Sequence, residues 1–455
     1  MQKILLFIAS LFYFNFLFSK NEIKSWQGIH ETPLSRLEQQ FAEPPVEFAN
    51  HVIWGWEGKM DKKTICNDLD SIKKKGFRAV IFEAGYKLPF KYLSEEWFKA
   101  IRTGVLEAKK RGMKVWIIDE GKYPSGFAGG KFSQERPDLR MQALVIGDTI
   151  QIKRGEVMTN HKIAPEIISA VAVSTSGAPN RTVEINNGKI SFNAGLDDWK
   201  ILLVKSDFRT AVTRAVNNPN GGKDATNSLC DYLNPVAVQQ FIDWTHEQYK
   251  KYLGKELGTT VLGFRGDEPD YAHLPWTPSI VQTFKDTKGY DPTPYLASFF
   301  TASPTIQEQR VKADYWDVWS SLFATHFFKL QADWCAANGV AHITHLNKEH
   351  EMPACVKAEG DYFRALSKVQ IPGVDAIWNQ IWPSTLNDFP KLASSVAHVY
   401  GKPRAFSESF AAYHISPTIP QAKFVVDHQI ARGINFFEFM FWLAGSKHRN
   451  WMSDP

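Results

Sequence analysis

Two glutamates at the ends of short apolar runs are the residues best suited to chemistry in this chain. The run Val261-Leu262-Gly263-Phe264-Arg265-Gly266 meets Asp267-Glu268-Pro269, which reads as a buried strand stopping in an acidic loop. Far downstream, Arg404-Ala405-Phe406-Ser407-Glu408-Ser409-Phe410 repeats the device with Glu408 at its tip. Two carboxyls facing one ligand suit cleavage of a glycosidic bond. One, protonated, assists the leaving oxygen; the other, ionised, attacks the sugar or activates water. Asp267 places negative charge beside Glu268 and is expected to raise its pKa, keeping an acid protonated near neutrality. A carboxyl separation of about 5–5.5 Å would predict retention at the sugar carbon, and about 6.5–9.5 Å inversion.

Such a pair needs elements that carry both glutamates to one opening. Eight strand-like runs alternate with helical periodicity: His51–Trp56, Arg78–Glu83, Lys114–Ile118, Thr260–Gly266, Val340–His345, Val374–Asn379, Ala405–Ser409 and Ile434–Trp442. Helices are read at Thr64–Lys75, Ser94–Arg111, Pro235–Lys255, Gln309–Ala336 and Gln421–Arg432. Parallel neighbours require a crossover, so the alternation predicts a (β/α)8 barrel, with chemistry at the carboxyl ends of its strands. From 141 to 206 the helical period gives way to short β runs broken by Gly, Asn and Pro, which predicts an inserted antiparallel β module after strand three. The predicted organisation is a signal peptide at 1–20, a first part of the barrel at 21–140, the module at 141–206 and the rest of the barrel at 207–455. Little chain follows Trp442, so a truncated sequence or an unfinished seam is expected at the barrel's last helix.

The amino terminus, Met-Gln-Lys before the apolar run Ile4 to Tyr13, has the pattern of a secretory signal and is short for a membrane span, so the mature chain is expected to be exported without a membrane-spanning segment, with an uncleaved anchor as the alternative. No cysteine lies near its end to carry a lipid. The net charge of +5 comes from 53 basic and 48 acidic residues mixed along the chain, which argues against a nucleic-acid partner. Cys66, Cys230, Cys335 and Cys355 are dispersed, without metal spacing or a disulfide framework. His342 and His345, read as sharing one face of the fifth strand, raise a zinc pair as an alternative. Trp54, Trp56, Trp378 and Trp442 are read either as a stacking wall or as core. Asp119, Glu120, Asp375 and Asn379, at strand ends, are candidates for sugar hydroxyls or a hard cation.

Several stretches together resemble the catalytic barrel of glycoside hydrolase family 106, the α-L-rhamnosidases. They are Trp116-Ile117-Ile118-Asp119-Glu120, Tyr123-Pro124-Ser125-Gly126 with Ala128-Gly129-Gly130, Asp231-Tyr232-Leu233-Asn234-Pro235, Asp267-Glu268-Pro269, and Pro372-Gly373-Val374-Asp375-Ala376-Ile377-Trp378. The resemblance runs from about Trp54 to Trp442 and is most specific in the Tyr-Pro-Ser-Gly and Ala-Gly-Gly segments. It implies an exported enzyme that removes terminal α-L-rhamnose with inversion, with Glu268 as acid, Glu408 as base and a calcium ion often at the sugar. His345 with Glu349 after strand five resembles a further site segment, with Glu349 a third carboxylate candidate. Substrate contacts are expected from Asp119, Glu120, Tyr123, Ser125 and Asp267, and from His345, Glu349, Asp375, Trp378 and Asn379. Members of that family usually carry further β-sandwich domains, and this chain stops just past strand eight. A catalytically silent carbohydrate-binding barrel, a related glycosidase of other sugar specificity, and a metal-dependent hydrolase using His345 are the competing readings.

Overall fold

A computed structural model describes residues 33–444, apart from 122, 211–212, 215–222, 225–227, 272–273, 386 and 414–416. The expected signal peptide and the chain after 444 lie outside the described residues. Eight parallel strands close into a barrel: β1 (His51–Trp56), β2 (Ala79–Ala84), β3 (Lys114–Ile118), β4 (Val261–Gly266), β5 (Ala341–Thr344), β6 (Ile371–Ala376), β7 (Phe406–Ser409) and β8 (Phe436–Leu443). The expected unfinished seam is absent from the sheet, because β1 pairs directly with β8, His51 opposite Glu438 and Trp54 opposite Trp442. Strand six starts earlier than expected. Pro372 and Gly373 lie inside it, and Trp378 and Asn379 fall in the loop beyond.

Alternation sorts the barrel residues into two shells. Inward residues Ile53, Ile81, Trp116, Ile118, Leu262, Ile343, Ile371, Phe406 and Phe436 fill the lumen as one apolar cluster, so the barrel is packed rather than hollow. Outward residues such as Trp54, Trp56, Val80 and Phe82 pack with Ile65, Leu69 and Ile101 of the surrounding helices. Trp54 and Trp56 are fully buried there, which assigns them to the core and removes them from any stacking wall. The helix Lys62–Lys74 starts at Asp61, whose carboxylate accepts the Thr64 N–H. The helix Glu95–Lys110 starts at Ser94 in the same way.

Where strands approach most closely, only glycine fits. A Cβ on Gly263 of β4 would lie 2.1 Å from the Ala341 carbonyl oxygen of β5 and 2.5 Å from the Trp116 ring. The oxygen belongs to backbone and cannot swing away. Gly263→Ala is therefore expected to destabilise the fold by about 1–3 kcal/mol, as overpacking does elsewhere. A urea midpoint equal to that of the parent would contradict this.

The module after β3 is a five-stranded antiparallel sheet in the order Pro275–Trp276, Gln142–Ile152, Trp199–Phe208, Ile167–Ser174 and Arg181–Thr182. Its edge partner Pro275–Trp276 comes from the segment after β4, so the insertion is stitched to the barrel on both sides of Asp267-Glu268. One face contributes Leu144, Val171, Leu202 and Val204 to the main core. The other packs Ala170, Ile201 and Leu203 against Ile190, Phe192 and Trp199.

The helix expected over Pro235–Lys255 is broken. Thr245 (φ −113°, ψ −83°) separates Pro235–Trp244 from His246–Leu253. Asn234 accepts the Val236 N–H and Pro235 occupies the first turn, where its missing N–H loses nothing.

Candidate functional site

Strand register decides which carboxyls meet. Asp375 on β6 pairs with Glu408 on β7, and Glu408 pairs with Glu438 on β8. Neighbours in register point to the same side of a sheet, so all three project into the lumen near its carboxyl end. Across from them β4 sends in Arg265, fully buried. Its guanidinium lies 2.9 Å from Asp267 and 3.2 Å from Glu438, and it is ion-paired with Glu408. One arginine thus holds carboxylates from three strands, which suits its planar fork of donors.

His345, just past β5, completes the cluster. Its Nε2 is 3.3 Å from both Asp267 and Glu408, and its Nδ1 is 2.8 Å from the Leu346 carbonyl. Burial and Arg265 oppose charge on this ring, yet hydrogen bonds to Asp267 and Glu408 hold its pKa well above the usual value. His345, Asp267 and Glu408 present atoms within 4.8 Å of one another, and so do His345, Glu268 and Asp375. Glu268 and Glu408 therefore both lie close to the same imidazole at one end of the barrel.

The two glutamates differ in surroundings. Glu408 is compensated by Arg265. Glu268 is half-buried, near Asn347 Nδ2 at 3.5 Å, and has no cation in direct contact among the described residues. Burial first, and the Asp267 charge second, push its carboxyl up to about 7. The direction expected from Asp267 is therefore present, as the smaller of two causes. Asp267 itself is held well below the usual carboxylate range by Arg265 and His345, against its burial. Glu349, buried and accepting the Leu346 N–H at 3.1 Å, is pushed up to about 8, chiefly by burial.

Asp119, Glu120 and Ser125 are almost fully buried and bonded within the scaffold. Glu120 accepts N–H groups from Gly121, Phe127, Ala128 and Gly129, tying down the Gly-rich loop. The Ser125 hydroxyl donates to Asp119 at 2.6 Å and accepts the Asp267 N–H at 2.7 Å. Ser125 thus links Asp119 to the backbone of Asp267, and Asp119 Oδ2 has no hydrogen-bond partner among the described residues. Tyr123 is partly exposed on the same loop.

Trp378 is 57% exposed beyond β6, with Asn379 beside it. Both have positive φ, as do Glu268 (40°), Lys348 (64°), Phe410 (76°) and Ala412 (51°). Strained backbone thus gathers in the loops following β4 to β7, as it does at functional sites generally. His342 does not share a face with His345. The two are three positions apart, an odd spacing that sends them to opposite sides of the strand.

Arg265 and Glu438 carry the site and were not among the expected residues. An arginine inside an apolar strand run, and the matching alternations Phe406/Glu408 and Phe436/Glu438, are the signals that point to them. Calcium would take oxygen ligands, several of them from sugar and water. At this site Asp267, Glu408 and Glu438 are committed to Arg265, which leaves Glu268, Glu349 and Asp375 as the carboxyls that would meet such an ion.

A putative beta-glucuronidase of Formosa agariphila is 24% identical to this chain, over 93% of the chain and 39% of that protein, so the chain spans about two fifths of its curated relative. A rhamnosidase structure from Novosphingobium sp. PP1Y superposes with a TM-score of 0.67 at 14% identity, over 91% of this chain and 56% of that one, and shares the barrel fold. The family model described as alpha-L-rhamnosidase matches residues 161–441, well over half of the chain. With the barrel closed and both glutamates at one end of it, that match is the finding that places this chain in glycoside hydrolase family 106.

Proposed function

We propose that this chain is the catalytic barrel of an exported α-L-rhamnosidase that removes terminal α-L-rhamnosyl residues from plant or microbial glycans with inversion. The observation that carries the reading is the contrast at His345, near which both glutamates lie: Glu268 has a carboxyl raised to about 7, and Glu408 is paired with Arg265. In this mechanism Glu268 gives its proton to the glycosidic oxygen as the bond from that oxygen to the sugar carbon breaks. Glu408 takes a proton from a water that attacks the same carbon from the opposite face. Arg265 and His345 both meet Glu408 at Oε2, which leaves Oε1 as the base atom. Export is supported by the apolar run after Lys3. The calcium implied by the resemblance is a proposal for the sugar-bound state and enters none of these steps.

The test is the anomer first released from an aryl α-L-rhamnoside, followed by proton NMR. Inversion predicts that the β-sugar appears first. Initial release of the α-sugar would replace the mechanism by a retaining one. Saturable sugar binding with no release over days would favour the silent binding barrel.

The relative named as a glucuronidase raises a second sugar class. Burial raises Glu268, Glu349, Asp375 and Glu438 toward their neutral forms, so Arg265 and His345 are set against Asp267 and Glu408 and the site holds no large excess of either charge. The family match favours the rhamnoside, which is expected to exceed the matching glucuronide in kcat/KM. The reverse order would assign the site to the glucuronide.

A further inference from the structure

Behind β5, on the side away from the glutamates, three ligand-type side chains converge in the dry core. His342 points outward from β5, Cys335 comes from the helix Lys329–Ala337, and His246 opens the helix His246–Leu253 just after the break at Thr245. All three are buried to within 1% exposure, and one ligand atom from each lies within 4.8 Å of the others. We propose that His246, Cys335 and His342 form a metal site for one soft d10 cation, copper(I) or zinc, that staples two outer helices to the barrel.

Hydrogen bonding around the site supports this. The Thr245 hydroxyl donates to the Phe241 carbonyl at 2.7 Å, so at 2.9 Å it accepts from His246 Nδ1–H. That fixes the tautomer and leaves Nε2 with a bare lone pair. Among the described residues His246 Nε2 has no hydrogen-bond partner, and neither ring nitrogen of His342 has one. Buried polar atoms are normally satisfied, and unpartnered ring nitrogens from two histidines converging on a thiol ask for a ligand. A hydrogen bond that orients the ring from its far nitrogen is the usual support of a metal-bound histidine. Binding would release the Cys335 proton to solvent and leave a thiolate on the ion.

The donor set selects the ion class. A thiolate with two imidazoles suits copper(I) and zinc and does not suit calcium or magnesium. Structural zinc takes four ligands. Among the described residues the convergent group contains no fourth His, Cys, Asp or Glu, and the rings packed on His246 are Phe264, Trp334 and Phe241, with centroids 4.2, 5.2 and 6.1 Å away. Three ligands favour copper(I) over zinc.

The whole chain, freed of metal and kept anaerobic, would be titrated separately with copper(I) against a bathocuproine chelator and with zinc, counting bound ions by mass spectrometry. One copper(I) per chain, a raised melting temperature on loading, and affinity reduced by about 10–100-fold or more in Cys335→Ala and His342→Phe are expected. Circular dichroism of the two variants checks that they fold. No bound ion, or binding undiminished in a folded Cys335→Ala, overturns the site. Zinc held more tightly than copper(I) overturns the three-ligand assignment.

Discussion

Glu268→Gln is expected to lower kcat on a rhamnoside with a sugar leaving group by about 10²–10⁴-fold, the usual contribution of a positioned general acid. Glutamine keeps the shape and cannot give a proton. The deficit should shrink on an aryl rhamnoside whose phenol leaves without protonation, because such a substrate does not need the acid. Glu408→Gln should show no such rescue, since activation of water is required whatever departs. The parent should lose kcat/KM as pH rises through about 7, because burial and then Asp267 place the Glu268 carboxyl there and only its protonated form is active. That alkaline limb should vanish in Glu268→Gln. A limb persisting near pH 7 in the variant, or equal deficits on both leaving groups, would take the acid role away from Glu268.

Why these two glutamates were legible before any coordinates comes down to pattern. Each ends a short apolar run, and in a parallel barrel the ends of such runs share one rim. Alternation along β7 and β8 even foretells which way Glu408 and Glu438 point, yet Glu438 stayed hidden because its run continues to Leu443 and no loop follows it directly. The ion-pair centre was harder still. Arg265 is assigned by contacts to Asp267, Glu408 and Glu438, two of them more than 140 positions away, and no local periodicity encodes such partners. The broken helix at Thr245 illustrates the same limit. Its sequence reads as one continuous helix, and what turns it is the tertiary fit that brings His246 against Phe264. Likewise Asp119, Glu120 and Ser125 carry acidic and hydroxyl groups at a strand end, which suits a ligand or a scaffold equally. Four amides converging on Glu120 commit that carboxyl to the loop, a partnership that no local pattern announces.

The largest stability change should come from Arg265→Met. Methionine fills much of the same volume and removes the one cation that touches Asp267, Glu408 and Glu438 together. Cutting one partner from a buried ion pair costs about 3–5 kcal/mol, because the remaining charge is left in a medium that cannot solvate it. Here three carboxylates lose their counter-charge at once, so the upper end of that range is expected from urea unfolding. The sign of the pH dependence follows. Glu438 already has a pKa pushed up to about 7, chiefly by burial and against Arg265, and without the arginine it takes a proton more readily still. A protonated carboxyl needs no cation, so the variant should fall furthest behind the parent at pH 8 and recover part of the gap at pH 5. Adding Glu438→Gln should also restore part of it at pH 8, since one orphaned charge is then gone. If Arg265→Met matched the parent at both pH values, the barrel mouth would be held by packing alone. Glu408 would then owe its position to the β7 backbone and to His345 rather than to the arginine opposite.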